Sequence, residues 1–110
     1  MAMGVMAGSI LIIDDDPVQR RLVEAVVTRF GYQAVTAENG RMGLERLTSA
    51  DRGAIAAVVL DLAMPEMSGI EVLEAIAKAG LTTPVIVQTA QGTIDTAVSA
   101  MRLGAFDFVV

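Results

Sequence analysis

Five short apolar runs punctuate the chain, and a stretch with helix-like spacing follows each of the first four. Residues 9–13 read Ser-Ile-Leu-Ile-Ile and give way at once to three aspartates. A run so short and so rich in β-branched residues predicts a strand buried on both faces, as in a parallel sheet. Asp16-Pro17 then reads as an N-cap with proline at the first helical position. Val18, Leu22, Ala25, Val26 and Phe30 recur mostly every three to four residues and predict the apolar face of a first helix, which Gly31 stops. Gln33 to Ala37 reads as a second strand. Asn39-Gly40 signals a turn, and Met42, Leu44 and Leu47 predict a helix from Arg41 to about Ala50.

The second half repeats the alternation. Ala57 to Leu60 reads as a third strand, closed by Asp61, and Leu62 to Ser68, with Pro65, as a loop. Gly69 to Ala79 reads as a helix with Ile70, Leu73, Ile76 and Ala77 inward and Val72 at the margin. Glu71, Glu74 and Lys78 fall on its solvated side, and Gly80 stops it. Pro84 to Gln88 reads as a fourth strand with Thr89 at its end. Thr93 to Leu103 reads as a helix with Ile94, Ala97, Val98 and Met101 inward, ended by Gly104. Phe106 to Val110 begins a fifth strand. Strands separated by helices imply parallel crossovers and an α/β doubly wound sheet. In such sheets ligands sit at the C-terminal ends of the strands, near the switch in strand order. Asp14, Asp15 and Asp16 follow strand one, Asp61 ends strand three and Thr89 ends strand four, so these polar side chains are expected on one edge.

Composition narrows the chemistry. The chain has 110 residues, 54% hydrophobic and 19% charged, enough for one core and too apolar for a disordered tail. It has no cysteine and no histidine, which removes disulfides, thiolate sites, imidazole metal sites and Ser-His-Asp catalysis. A net charge of −5 argues against direct nucleic-acid binding. No apolar run approaches the roughly 20 residues of a membrane span, and the start lacks the basic residues of a signal peptide. A cytoplasmic domain is expected, with residues 1–8 as a flexible N-terminal segment.

What remains is carboxylates and hydroxyls. Crowded carboxylates either take up protons or hold a cation between them. Oxygen-only ligands suit Mg²⁺, Mn²⁺ or Ca²⁺. A carboxylate beside such an ion can also attack a phosphoryl group and form an aspartyl-phosphate. Asp61, Asp14, Asp15 and Thr89 fit those roles. The pattern alone leaves a second reading open, in which Asp at strand ends caps helices and Thr89 satisfies a loop backbone group.

The segment Ile10-Leu11-Ile12-Ile13-Asp14-Asp15-Asp16 resembles the opening of response-regulator receiver domains of two-component signalling. So do Val59-Leu60-Asp61-Leu62-Ala63-Met64-Pro65-Glu66-Met67-Ser68-Gly69, the pair Thr89-Ala90, and Gly104-Ala105-Phe106-Asp107-Phe108. The likeness spans residues 9–110 and is greatest to receivers of the nitrogen-regulation type. It implies a flavodoxin-like strand order 2-1-3-4-5. It implies that Asp61 takes a phosphoryl group from a histidine kinase. Asp14, Asp15, Asp61 and the Ala63 backbone carbonyl would be the Mg²⁺ ligands, with Asp14 acting mainly through water. Thr89 would hydrogen-bond the phosphoryl group, the small Ala90 would leave access to it, and Phe108 would be the switch aromatic. Ala63 and Gln91, two positions beyond Asp61 and Thr89, would set the lifetime of the acyl phosphate. The resemblance further implies a switch that phosphorylates and dephosphorylates itself rather than a turnover enzyme. Its output would be transcription, its partner a sensor histidine kinase, and its self-association a homodimer through the helix four–strand five face.

One departure concerns the family lysine at the end of strand five. By family spacing it falls immediately after Val110, and a fifth helix is missing with it, so the domain is expected to be truncated. Lys78 lies at the opposite edge, Arg102 late in helix four, and no cationic side chain is expected beside the aspartates. Three other classes fit less well. A metal-dependent phosphatase or phosphotransferase usually has a second Asp two residues after the nucleophile, where Ala63 stands. A flavodoxin-like cofactor binder would want a Ser/Thr/Gly-rich loop where Asp-Asp-Asp-Pro stands. A non-signalling flavodoxin-like interaction module would have no need of Asp14, Asp15, Asp61 and Thr89 together.

Overall fold

The computed structural model describes residues 8–49, 55–89 and 94–109. Ala50, Ala90, Gln91, Thr93 and Val110, which carried expectations above, lie outside the described residues, as do residues 1–7. Among the described residues nine elements alternate strictly: β1 (Ser9–Ile13), α1 (Pro17–Arg29), β2 (Gln33–Ala37), α2 (Gly40–Thr48), β3 (Ile55–Leu60), α3 (Gly69–Lys78), β4 (Val85–Gln88), α4 (Ile94–Arg102) and β5 (Asp107–Val109). The five strands form one parallel sheet in the order β2-β1-β3-β4-β5. The expected architecture and strand order are therefore found.

Local chemistry explains the boundaries. Asp16 caps α1, its carboxylate accepting from the Val18 N–H at 2.9 Å, with Pro17 at the first helical position. Asn39 caps α2 in the same way through the Met42 N–H at 2.8 Å, so that helix starts at Gly40 rather than Arg41. Ser68 and Glu71 close a reciprocal capping box at the start of α3. Gly31, Gly80 and Gly104 take positive φ after α1, α3 and α4, as helix stops require. Strand β3 begins at Ile55, two residues before the expected start at Ala57.

The main core lies on one face of the sheet. Leu11, Ile13, Val58, Leu60, Val85 and Val87 meet Leu47 of α2, Val72, Leu73 and Ile76 of α3, and Ala100 of α4. Two helices are rotated from the sequence expectation. Val72, expected at the margin of α3, is fully buried, whereas Ala77 is exposed. In α4 the inward side is Ala97 and Ala100; Ile94, Val98 and Met101 face outward. The hydrophobic pattern contained both stripes, and the small one fits nearer the sheet.

The opposite face carries α1, and here the difference is larger. Val18, Leu22, Val26 and Phe30 are all exposed, and no residue of α1 is fully buried. The helix leans on the sheet through half-buried Val23 and Val27 instead. Beside it runs an open apolar groove of about 490 Å³, lined by Leu22, Val23, Val26, Val27, Val59, Ile86 and Val109 among others. With no helix beyond α1 on this face among the described residues, one flank of α1 stays in water. Replacing Leu22 by Ala should thus change stability by less than about 1 kcal/mol, while Leu47→Ala, at 1% exposure, should cost about 2–5 kcal/mol. Urea midpoints of the two variants check this contrast.

Candidate functional site

Register builds the site. Strands β1 and β3 are neighbours, and Ile13 pairs with Leu60. The next residue on each strand is an aspartate, so Asp14 and Asp61 emerge side by side. The Asp61 N–H donates to the Ile13 carbonyl at 3.0 Å, and the Asp14 N–H donates to the Ala37 carbonyl of β2 at 3.1 Å. Both backbones are thereby fixed to the sheet edge. Carboxylate oxygens of Asp14, Asp15 and Asp61 all lie within 4.8 Å of one another. This is the edge the strand-end rule selects, at the switch between β2 and β3 on either side of β1.

The cluster is electrostatically unsettled. Partial burial, chiefly, pushes the Asp61 carboxyl from 3.8 up to about 6, the neighbouring Asp14 and Asp15 charges add to it, and the Ala63 N–H at 3.3 Å opposes it. Burial also raises Asp14, against a hydrogen bond of 3.0 Å from the Asp16 N–H. Three oxygen ligands with excess negative charge are the donor set that suits a hard divalent cation.

The loop after Asp61 is held by its own side chains. Leu62 and Met64 are buried, and the Leu62 carbonyl accepts from the N–H groups of Met64 and Gly69. Glu66 sits in the left-handed region at φ 66°, uncommon outside glycine. Gly69 touches the backbone of this loop. A Cβ there would stand 2.5 Å from the Asp61 carbonyl oxygen and 2.6 Å from Leu62 Cα. Gly43 plays a related part for β1, where a Cβ would run into the Ile13 side chain rather than backbone. From sequence Gly69 is a helix start and the last residue of the family-like segment, and Gly43 has no role, because close approach to a neighbouring element leaves no local pattern.

The other expected residues fall as follows. Thr89 is buried at the end of β4, on the same sheet edge, and its N–H donates to the Val109 carbonyl at 3.2 Å. Phe108 is half-buried in β5, paired with Val87 and packed against the core. Ala63 is exposed beside Asp61. Asp16 is committed to its cap. Lys78 ends α3, and Arg102 ends α4, as expected. One residue was missed. The Arg20 guanidinium donates to the Asp14 backbone carbonyl at 2.9 Å, so a cationic side chain does reach this edge. The signal available was its position one turn past the Asp16 cap, because helical side chains lean back toward the N-terminus.

The family model of the response regulator receiver domain matches residues 10–110. The chain belongs to this family. Curated relatives of the receiver include the regulatory protein AtoC of Escherichia coli (strain K12), 38% identical over 101 residues, covering 92% of this chain and 21% of AtoC. The transcriptional regulatory protein GlrR of the same organism is 40% identical over 100 residues, covering 91% and 22%. The receiver thus spans about a fifth of the length of these relatives. Among solved structures, the CheX-CheY-BeF3-Mg²⁺ complex from Borrelia burgdorferi superposes with a TM-score of 0.87 at 27% identity, covering 94% of this chain and 77% of that one.

Two outcomes follow. An alanine at position 69 should cost about 1–3 kcal/mol and displace the Asp61 amide signal, since backbone must move to admit the methyl group; urea unfolding and NMR read both. The folded receiver holds the Asp61 proton more tightly than the unfolded chain does, so stability falls as pH rises from about 4 to 6 without metal. Asp61→Asn should flatten that fall and raise the urea midpoint at pH 7.5. The gain should be on the order of 1 kcal/mol, discounted for solvent screening at this half-exposed site.

Proposed function

We propose that residues 9–110 act as the phosphoacceptor switch of a two-component relay. Asp61 is the nucleophile. Its carboxylate oxygen attacks phosphorus of a phosphohistidine on a sensor kinase as the P–N bond breaks. The electron pair leaves on the imidazole nitrogen, and the product is an acyl phosphate. The observation that carries this reading is the convergence of the Asp14, Asp15 and Asp61 oxygens within 4.8 Å.

The donor set fits Mg²⁺, with Asp15 and Asp61 as direct ligands, Asp14 acting mainly through water, and the Ala63 carbonyl as a further ligand. When bound, Mg²⁺ would supply charge neutralisation for the incoming phosphoryl oxygens. The presence of Mg²⁺ in the Borrelia CheY complex supports this assignment. The chain's own residues do the positioning. The sheet edge fixes Asp61 in place, Thr89 donates a hydrogen bond to the phosphoryl group and swings inward, and Phe108 follows it as the switch aromatic. Ala63 sets water access to the acyl phosphate on its side of the site.

Such a receiver changes state rather than turning over outside substrates. Its relatives AtoC and GlrR are regulators, which supports control of transcription as the output in the cytoplasm, with nucleic acid contacted elsewhere than in this domain. Exposed Ile94, Val98 and Met101 on α4 support a homodimer through the α4–β5 face. Among the described residues no helix is long and apolar enough to cross a membrane.

The test uses Mg²⁺ and a small phosphodonor. Mg²⁺ should shift the NMR signals of Asp14, Asp15 and Asp61, and Asp15→Ala should remove that response. Acetyl phosphate should add one phosphoryl group at Asp61, and Asp61→Asn should abolish the addition, since an amide is no nucleophile. Label on Ser68 or Thr89, or a Mg²⁺ response untouched by Asp15→Ala, would overturn the assignment.

A further inference from the structure

We propose that Arg20 is a positioning residue that holds the Asp14–Asp15 peptide in the orientation keeping both carboxylates beside Asp61. Its bearing on Mg²⁺ rests on the reading of the site given above.

A peptide plane joins the carbonyl of one residue to the N–H of the next. The Asp14 carbonyl and the Asp15 N–H therefore turn together, and a change of ψ at Asp14 that swings this plane re-aims the Asp15 side chain relative to that of Asp14. Strand β1 ends at Ile13, so ladder pairing does not fix this plane. Arg20 does. Its Nη1 donates to the Asp14 carbonyl at 2.9 Å, while its own backbone N–H donates to the Asp16 carbonyl at 2.9 Å. One residue of α1 thus grips two carbonyls of the loop that bears the aspartates.

The remaining ties on Asp14 do not replace that grip. Its N–H to Ala37 fixes the plane before it. Its carboxylate accepts from the Asp16 N–H, which restrains the side chain through the same loop that needs holding. Asp15 is only half-buried, and its carboxylate depends on the backbone for its place. A neutral side chain at position 20 would leave the Asp14 carbonyl to water and the Asp14–Asp15 plane free to rock. A lysine keeps a charge and a donor on a stem of similar length. It should hold the carbonyl, with less geometric precision than a planar guanidinium.

The experiment compares the full chain with Arg20→Met and Arg20→Lys. Without metal, amide exchange at Asp15 and Asp16 should quicken about tenfold in Arg20→Met and stay near wild type in Arg20→Lys, with the urea midpoint nearly unchanged. Mg²⁺ titrated by NMR should bind about tenfold more weakly to Arg20→Met, the lower end of what an outer-shell partner contributes. Arg20→Lys should recover most of that loss. Unchanged exchange at Asp15 and Asp16 in Arg20→Met would overturn the proposal, as would Mg²⁺ binding equal to or tighter than wild type. A drop in protection across the whole sheet with a lower urea midpoint would also overturn it, because Arg20 would then be supporting the fold at large. If the wild-type chain gives no Mg²⁺ response, the metal reading fails alone, and the exchange rates still decide the role of Arg20.

Discussion

Two like charges held side by side at the end of a parallel strand pair are the constraint around which this molecule is arranged. The Ile13–Leu60 pairing makes Asp14 and Asp61 neighbours whether or not their charges suit each other. Left alone in water they would separate. Here the sheet holds their backbones, and loss of water around Asp61, with the neighbouring charges adding to it, raises its proton affinity. The fold thus stores an unmet demand for positive charge at one edge. Such an oxygen-only donor set suits a hard divalent cation.

Much of the surrounding packing serves to keep that edge immobile. Gly43 lets α2 close on Ile13, and Gly69 lets α3 close on the backbone of Asp61 and Leu62. Gly40 brings α2 against Val72 and Met67 of the α3 region. These contacts lie on the densely covered face, where the strand interiors are fully buried. The α1 face is covered much more thinly, and there a long polar side chain, Arg20, does the work that close backbone packing does on the other side.

Strands and acidic cluster were legible because each signal is local. A β-branched run such as Ile10–Ile13, followed at once by aspartates, states both the strand and its functional end. Caps were legible for the same reason, as at Asp16-Pro17. Helix orientation was not. Two overlapping apolar stripes exist in α1 and in α4, and periodicity cannot say which one faces the sheet. Val18, Leu22 and Val26 form as good a stripe as Val23 and Val27, yet only the second pair leans inward. In α4 the winning stripe is alanine, whose virtue is smallness, a property that a hydrophobicity pattern undervalues. Arg20 was missed because its partner is a backbone carbonyl, which has no residue type to recognise. Thr89 was legible from the strand-end rule, whereas the role expected of Phe108 came through family likeness; spacing alone would have left it as a core aromatic.

The exposed apolar stripe of α1 has a thermodynamic corollary. Leu22 and Val26, with Ile86 and Val109 across the groove, are already partly hydrated in the native state. Unfolding transfers less fresh hydrocarbon to water than a chain of this length usually does. Globular domains gain about 12–15 cal/mol/K of heat capacity per residue on unfolding, most of it from apolar hydration. This receiver is therefore expected below that range, with a shallower dependence on denaturant to match. Its stability curve should be correspondingly flat, so that temperature alone would change the balance between folded and unfolded chain less steeply than its size would suggest.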